Sequence, residues 1–227
     1  MTAREQGPII GHAMRFTLFF LTLMLLPCAS GAAPRQHTVA LGKWRVVEVR
    51  SEAGEAQAAR VRELAIDGRL REYLTGPVHE VTERVFVVRR VYRMNDALPE
   101  EGRKAPQWIW RLGGWISVDR ETGHVAQLNL PAFDNEISAA SWYRDFAAYC
   151  GVSDDGSRSY MVVAQLGKRK PILKKEVSAS TCAAPLWDRT PSRVTFLAAG
   201  EKTTFAVSSR GAGPQPETVA AEEEGPQ

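Results

Sequence analysis

Asp119 and His124 stand on either side of a Thr122-Gly123 turn, a spacing at which a carboxylate can orient an imidazole as general base. Proton transfer of that kind would suit a hydrolase. The pair lacks an evident nucleophile, because Gly151-Val-Ser153-Asp154-Asp155-Gly156 is one residue too long for a G-x-S-x-G elbow and reads as a hairpin turn. His79-Glu80-Val-Thr-Glu83 ends in Glu where a zinc helix of the H-E-x-x-H type needs its second His. Asp154 and Asp155 are too few carboxylates for a calcium loop. Asp134 and Glu136 form a second close carboxylate pair, of a type that could hydrolyse sugars, but read in preference as a solvated loop. Neither Gly-rich phosphate-loop pattern occurs. The sequence therefore implies no cofactor and no metal, and offers Asp119 and His124 as its only catalytic candidates.

Aromatic residues give a different chemistry. Trp108 and Trp110 are two apart, so on a strand they share one face. Trp115, Trp142 and Tyr143 follow. Exposed indoles form platforms for sugars and peptides, whereas buried ones simply pack in a core. Trp108, Trp110 and the polar loop 95–106, with Pro99, Gly102 and Pro106, make the candidate binding surface.

The address lies near the start. Met14-Arg15 precedes an apolar run from Phe16 to Leu26, then Pro27, Cys28 and small residues to Ala33. A basic start, a short apolar run and a small-residue exit read as a secretory signal peptide over 1–33, with Met14 as an alternative start. The rival is an uncleaved anchor, but a spanning helix wants roughly 20 mainly apolar residues and Pro27 interrupts this one. Pro27 before Cys28 also departs from the small residue that a lipid-modified Cys requires. Removal of the leader leaves Cys150 and Cys182, an even pair in an oxidising compartment, and a disulfide between them is expected. Localisation is then periplasmic or secreted.

Formal charge is +3, and the acidic tail with Glu217, Glu222, Glu223 and Glu224 leaves the middle mildly basic. That is too weak for a nucleic-acid footprint. Lys168, Arg169, Lys170, Lys174 and Lys175 are the densest basic patch, read as Lys guarding a hairpin edge in preference to an anion-binding face. Residues 211–227 are Gly, Pro, Ala and Glu with almost no bulky apolar side chain, and read as a disordered tail. A single β-rich domain is expected over 34–210.

Within it, short β-prone runs alternate with turns. Strands are expected at Lys43–Arg50, Arg62–Ile66, Arg69–Leu74, Arg84–Met94, Trp108–Leu112, Trp115–Asp119, His124–Leu130, Tyr160–Gln165, Pro171–Val177, Arg193–Leu197 and Thr203–Ser208. Turns are expected at Asp67-Gly68, Gly113-Gly114, Thr122-Gly123 and Asp154-Asp155-Gly156. Residues 52–62, rich in Ala, Glu, Gln and Arg, read as a short helix. Asp134 to Cys150 fits either one helix ended by Gly151 or a short strand near Ile137–Trp142, a turn at Tyr143-Arg144-Asp145 and a strand from Phe146 to Val152, the second reading being preferred.

Ile137 to Asp145, Phe146 to Gly156 and Tyr160 to Ala164 together resemble a blade of a β-propeller, a likeness that covers about residues 137–177. Propellers host unrelated activities, so the resemblance implies a fold and no function. The fold class is all-β: an antiparallel meander of about a dozen short strands, propeller-like or a sandwich or partial barrel, with few short helices. The function expected is a non-enzymatic binding or scaffolding role in the cell envelope. Its partner would be an envelope protein, a peptide or a glycan, with no nucleic acid, and with the membrane met only through the leader. The alternative is an exported hydrolase using Asp119 and His124.

Overall fold

The computed structural model describes residues 37–97, 106–178 and 182–214, and among them every regular element is a strand. The leader, most of loop 95–106 and residues 215–227 lie outside the described residues. Contacts divide the chain into Met1–Arg35 and Gln36–Gln227, and all that follows concerns the second unit.

The first sheet holds β1 (Val39–Leu41), β2 (Arg45–Arg50), β3 (Ala56–Ile66), β4 (Arg69–Glu80), β5 (Val85–Asn95), β6 (Trp108–Asp119) and β7 (Val125–Gln127). From β2 to β6 each strand pairs antiparallel with the next. β6 then returns to β2 in parallel at Val49↔Trp110, closing a five-membered ring. β1 and β7 extend it, pairing with the ends of β3 and β6. Asp67 and Gly68 both have positive φ, at 53° and 74°, as the tight two-residue turn between β3 and β4 requires.

Two apolar clusters stabilise this sheet. Leu64, Leu74, Phe86, Val88, Ile116 and Val118 form one. Val49, Val61 and Val91 form the other, with Val47, Ala59, Tyr73, Trp110 and Leu112 packed on it. Tyr73 and Leu74 are consecutive on β4, so the clusters occupy opposite faces. The long strands thus bury one face at one end and the other face at the other. Register breaks at Leu64/Ala65, Thr75/His79 and Arg89/Val91 allow that change of curvature.

Two sequence expectations fail here. Residues 52–62 are not helical: Ala56–Ile66 is a strand bonded on one edge to β2 and on the other to β4. Pairing on both edges outweighs the weak helix preference of Ala, Gln and Arg. Gly113-Gly114 is not a hairpin turn either, since β6 runs through it. Between the pairs Arg89↔Trp115 and Val91↔Leu112, β6 carries one more residue than β5, so the glycines form a bulge.

The remaining strands form two sheets of four. β8 (Ser141–Tyr143), β9 (Phe146–Val152), β10 (Ser159–Gln165) and β11 (Leu173–Val177) make a meander, ordered β11-β10-β9-β8. β12 (Leu186–Arg189), β13 (Ser192–Ala198), β14 (Glu201–Ser208) and β15 (Gly211–Pro214) make another. The two-strand reading of 134–150 holds, with Arg144 in the turn at φ 53°, although the first strand starts at Ser141 rather than Ile137. The sheets pack face to face through Phe146, Ala148, Met161 and Val163 on one side and Val194, Phe196, Phe205 and Val207 on the other. Each Val, Phe or Met side chain among them, when fully buried, contributes about 1.5–3 kcal/mol. Cys150 and Cys182 stand at disulfide distance across this interface, with Cα atoms 6.1 Å apart. β15 lies in the segment that composition assigns to a tail. Its backbone bonds to β14, and Ala212 packs against the cluster between the two sheets, so this part of the segment is ordered.

The other face of the β8–β11 sheet is covered too. Ala147, Tyr149, Tyr160 and Val162 pack under residues 130–140. This explains the unbroken apolar runs Phe146–Cys150 and Tyr160–Ala164, since a strand buried on both faces does not alternate. The covering segment is pinned by Tyr149 Oη donating to Pro131 O at 2.8 Å and Ser138 Oγ donating to Cys150 O at 2.7 Å. Arg89 of the first sheet reaches the same segment by donating to Asn135 O.

Candidate functional site

Strand alternation puts Trp108 and Trp110 on one face of β6, as their spacing implies. Pairing with β5 sets Arg93 directly opposite Trp110, and its guanidinium carbon lies 5.3 Å from the Trp108 ring and 5.5 Å from the Trp110 ring. The β2–β6 seam brings up Arg45, which lies 5.3 Å from the Trp110 ring and 5.1 Å from that of Tyr73. Tyr73 meets Trp110 edge-on, with centroids 4.9 Å apart and planes at 85°. The result is an alternating stack, Trp108, Arg93, Trp110, Arg45, Tyr73, drawn from four strands.

Its lower rungs rest on the second cluster, whose Val49, Val61 and Val91 are fully buried. Its upper rung is open: Trp108 is 56% exposed. Each guanidinium over a ring is worth about 0.5–1 kcal/mol at an exposed site, so the stack holds both partners in place without burying either charge. Arg45 has a distant carboxylate, Glu63, at 3.9 Å. Among the described residues Arg93 has no carboxylate partner at all. Asn95 Oδ1, level with Trp108 in the pairing, accepts the backbone N–H groups of Ala97 and Gln107, which fixes the base of the neighbouring loop. A second, smaller arrangement lies where the chain enters β2 beside β3, with Arg60 and Arg62 at 5.3 and 4.3 Å from the Trp44 ring. Burial lowers the pKa of Arg62.

The other Trp side chains are structural. Trp115 is buried, Trp142 packs between Trp115 and His79, and Trp187 packs against Tyr143 and Phe146 while donating Nε1–H to Ser141 O at 3.0 Å.

Asp119 and His124 meet as turn residues rather than as a dyad. The Asp119 carboxylate takes Arg84 at 2.7 Å (Nε) and 2.6 Å (Nη2), and accepts the N–H groups of Glu121 and Thr122. The hydrogen bond from Arg84 is the main cause holding its carboxyl well below the usual carboxylate range. His124 contributes its backbone carbonyl to Asp119 N–H at 2.9 Å and is exposed. Among the described residues no hydrogen bond joins the two side chains, and no group of three or more His, Cys, Asp or Glu gathers as metal ligands. Nor is any helix among them long and apolar enough to cross a membrane.

Sequence reasoning found Trp108 and Trp110 but missed Arg45, Tyr73 and Arg93. The only local signal for these is that Arg93 and Arg89 share a parity on one strand; the partnership itself depends on pairing between distant segments. The chain matches no protein-family model, no curated protein and no solved structure.

Proposed function

We propose that this chain is an exported, non-enzymatic β-domain that binds an acidic glycan of the cell envelope through the Trp108–Tyr73 stack. The alternation of rings and guanidinium groups carries the reading. A pyranose presents a C–H face that lies well on indole, and a uronate carboxylate accepts two parallel N–H bonds from one Arg. Trp108 offers the open ring, and Arg93 offers a guanidinium that has no carboxylate partner among the described residues. Residues 1–33, read as a leader, and the Cys150–Cys182 pair support export.

The test is titration of the purified protein with polygalacturonate and with neutral dextran, followed by tryptophan fluorescence. Polygalacturonate is expected to bind, at least tenfold more weakly to Trp108→Ala and to Arg93→Gln. Equal binding of both polymers, or of neither, overturns the reading, and so does unchanged affinity in both variants.

A further inference from the structure

The basic patch divides once its residues are placed. Lys174 and Lys175 lie on β11, the edge strand, pointing to opposite faces, with Nζ atoms 4.1 Å from the Tyr160 ring and 5.8 Å from the Phe205 ring. They guard an edge, as the sequence suggests. Lys168, Arg169 and Lys170 do not. They occupy the turn before β11, outside the paired residues of β10 and β11, where no ladder is left open to protect.

That turn meets another from the second four-stranded sheet. Lys168, Arg169 and Lys170, with Ser209 and Arg210 from the β14–β15 turn, line a shallow basin of about 430 Å³ that has no acidic residue in its wall. All four cations are exposed, and among the described residues none forms an ion pair with a carboxylate. Asp145, whose backbone carbonyl holds the start of the same turn through Leu166 N–H, has its carboxylate engaged by Gln165 Nε2 at 2.7 Å. Both turns are fixed from within: Lys168 N–H donates to Gln165 O, and Ser208 Oγ donates to Gly211 O while accepting Arg210 N–H. Gathering four like charges on two turns raises the energy of the free protein, and a bound anion relieves it.

We infer that this basin binds a phosphate group, with Arg169 and Arg210 supplying paired N–H donors and Lys168 and Lys170 supplying point charges. The inference is independent of the glycan reading, because the basin and the Trp108 stack share no residue or sheet. The phosphate could belong to a lipid headgroup or to a soluble phosphate, and two arms separate these sources.

In one arm, sedimentation measures binding to vesicles of phosphatidylcholine alone and with phosphatidylglycerol added. In the other, calorimetry measures inorganic phosphate and pyrophosphate in solution. Wild type is expected to bind in at least one arm, and the Arg169→Gln/Arg210→Gln variant at least tenfold more weakly at unchanged melting temperature. Arg169→Lys/Arg210→Lys is expected to retain intermediate affinity. Vesicle binding alone assigns the phosphate to a lipid headgroup, and binding in solution assigns it to a soluble phosphate. No binding in either arm overturns the inference, as does a double Gln variant that binds like wild type. If that variant fails to fold, Lys168→Gln/Lys170→Gln replaces it under the same criteria.

Discussion

The two paired four-stranded sheets and the closed end of the first sheet use aromatic residues in opposite ways. In the paired sheets Phe196 meets Phe205 with centroids 6.0 Å apart, and Tyr149 is fully buried under Phe133. At the closed end of the first sheet, Trp108 and Trp110 are flanked by guanidinium groups and Trp108 faces solvent. The first arrangement yields stability and offers nothing to a ligand. The second yields little stability and leaves ring faces and N–H donors in reach. Substitutions should divide along the same line.

The largest effect is expected at the cysteines. Replacing Cys150 and Cys182 by Ser should cost about 3–4 kcal/mol in the chain-entropy account of a loop this long, read as a shift of the urea midpoint. Gly151→Ala comes next. Its Cβ would stand 2.5 Å from Ala132 O, a backbone atom that also accepts Val152 N–H and cannot withdraw freely. A loss of about 1–3 kcal/mol is expected in thermal unfolding. Tyr149→Phe, which leaves Pro131 O without its donor, should cost about 1–2 kcal/mol by chemical denaturation. Trp108→Ala should cost no more than about 1 kcal/mol of stability while weakening glycan binding tenfold. If its unfolding cost matched that of Gly151→Ala, the division between the two regions would fail.

The smallest effect concerns pH. Arg84 holds the folded-state pKa of Asp119 below its ordinary value of about 3.9. Protons therefore bind more readily to the unfolded chain, and the stabilisation is full above that ordinary value and lost as pH falls toward the folded one. The gap in melting temperature between wild type and Asp119→Asn should be present at neutral pH and shrink in acid. A gap that does not depend on pH would contradict the Arg84 pairing.

Elements whose cause is local were legible in the sequence. Asp67-Gly68, Thr122-Gly123 and Asp154-Asp155-Gly156 are turns because their own side chains and backbone freedom make them so, with Gly68, Gly123 and Gly156 all at positive φ. Gly113-Gly114 carries the same local signal, yet β5 pairs with both of its flanks and makes it a bulge. The strand Ala56–Ile66 was legible only in its second half, Arg62–Ile66; residues 56–61 were hidden for the same reason, since their identity comes from neighbours on either edge. The site repeats the pattern. Trp108 and Trp110 share a face by counting alone, whereas Arg45, Tyr73 and Arg93 reach them through a register that no short window contains.

An odd number of up-and-down strands has a further consequence. The fifth must run beside the first in the same direction, so no hairpin can make that join. Val49 and Trp110, sixty-one positions apart, carry it as a single bridge. Closing so long a loop for so few bonds makes this the last part of the ring to zip and the first to part. Backbone amides beside Val49 and Trp110 should exchange with deuterium ahead of those in β3 and β4. A ligand resting on Trp110 would then act as a clasp.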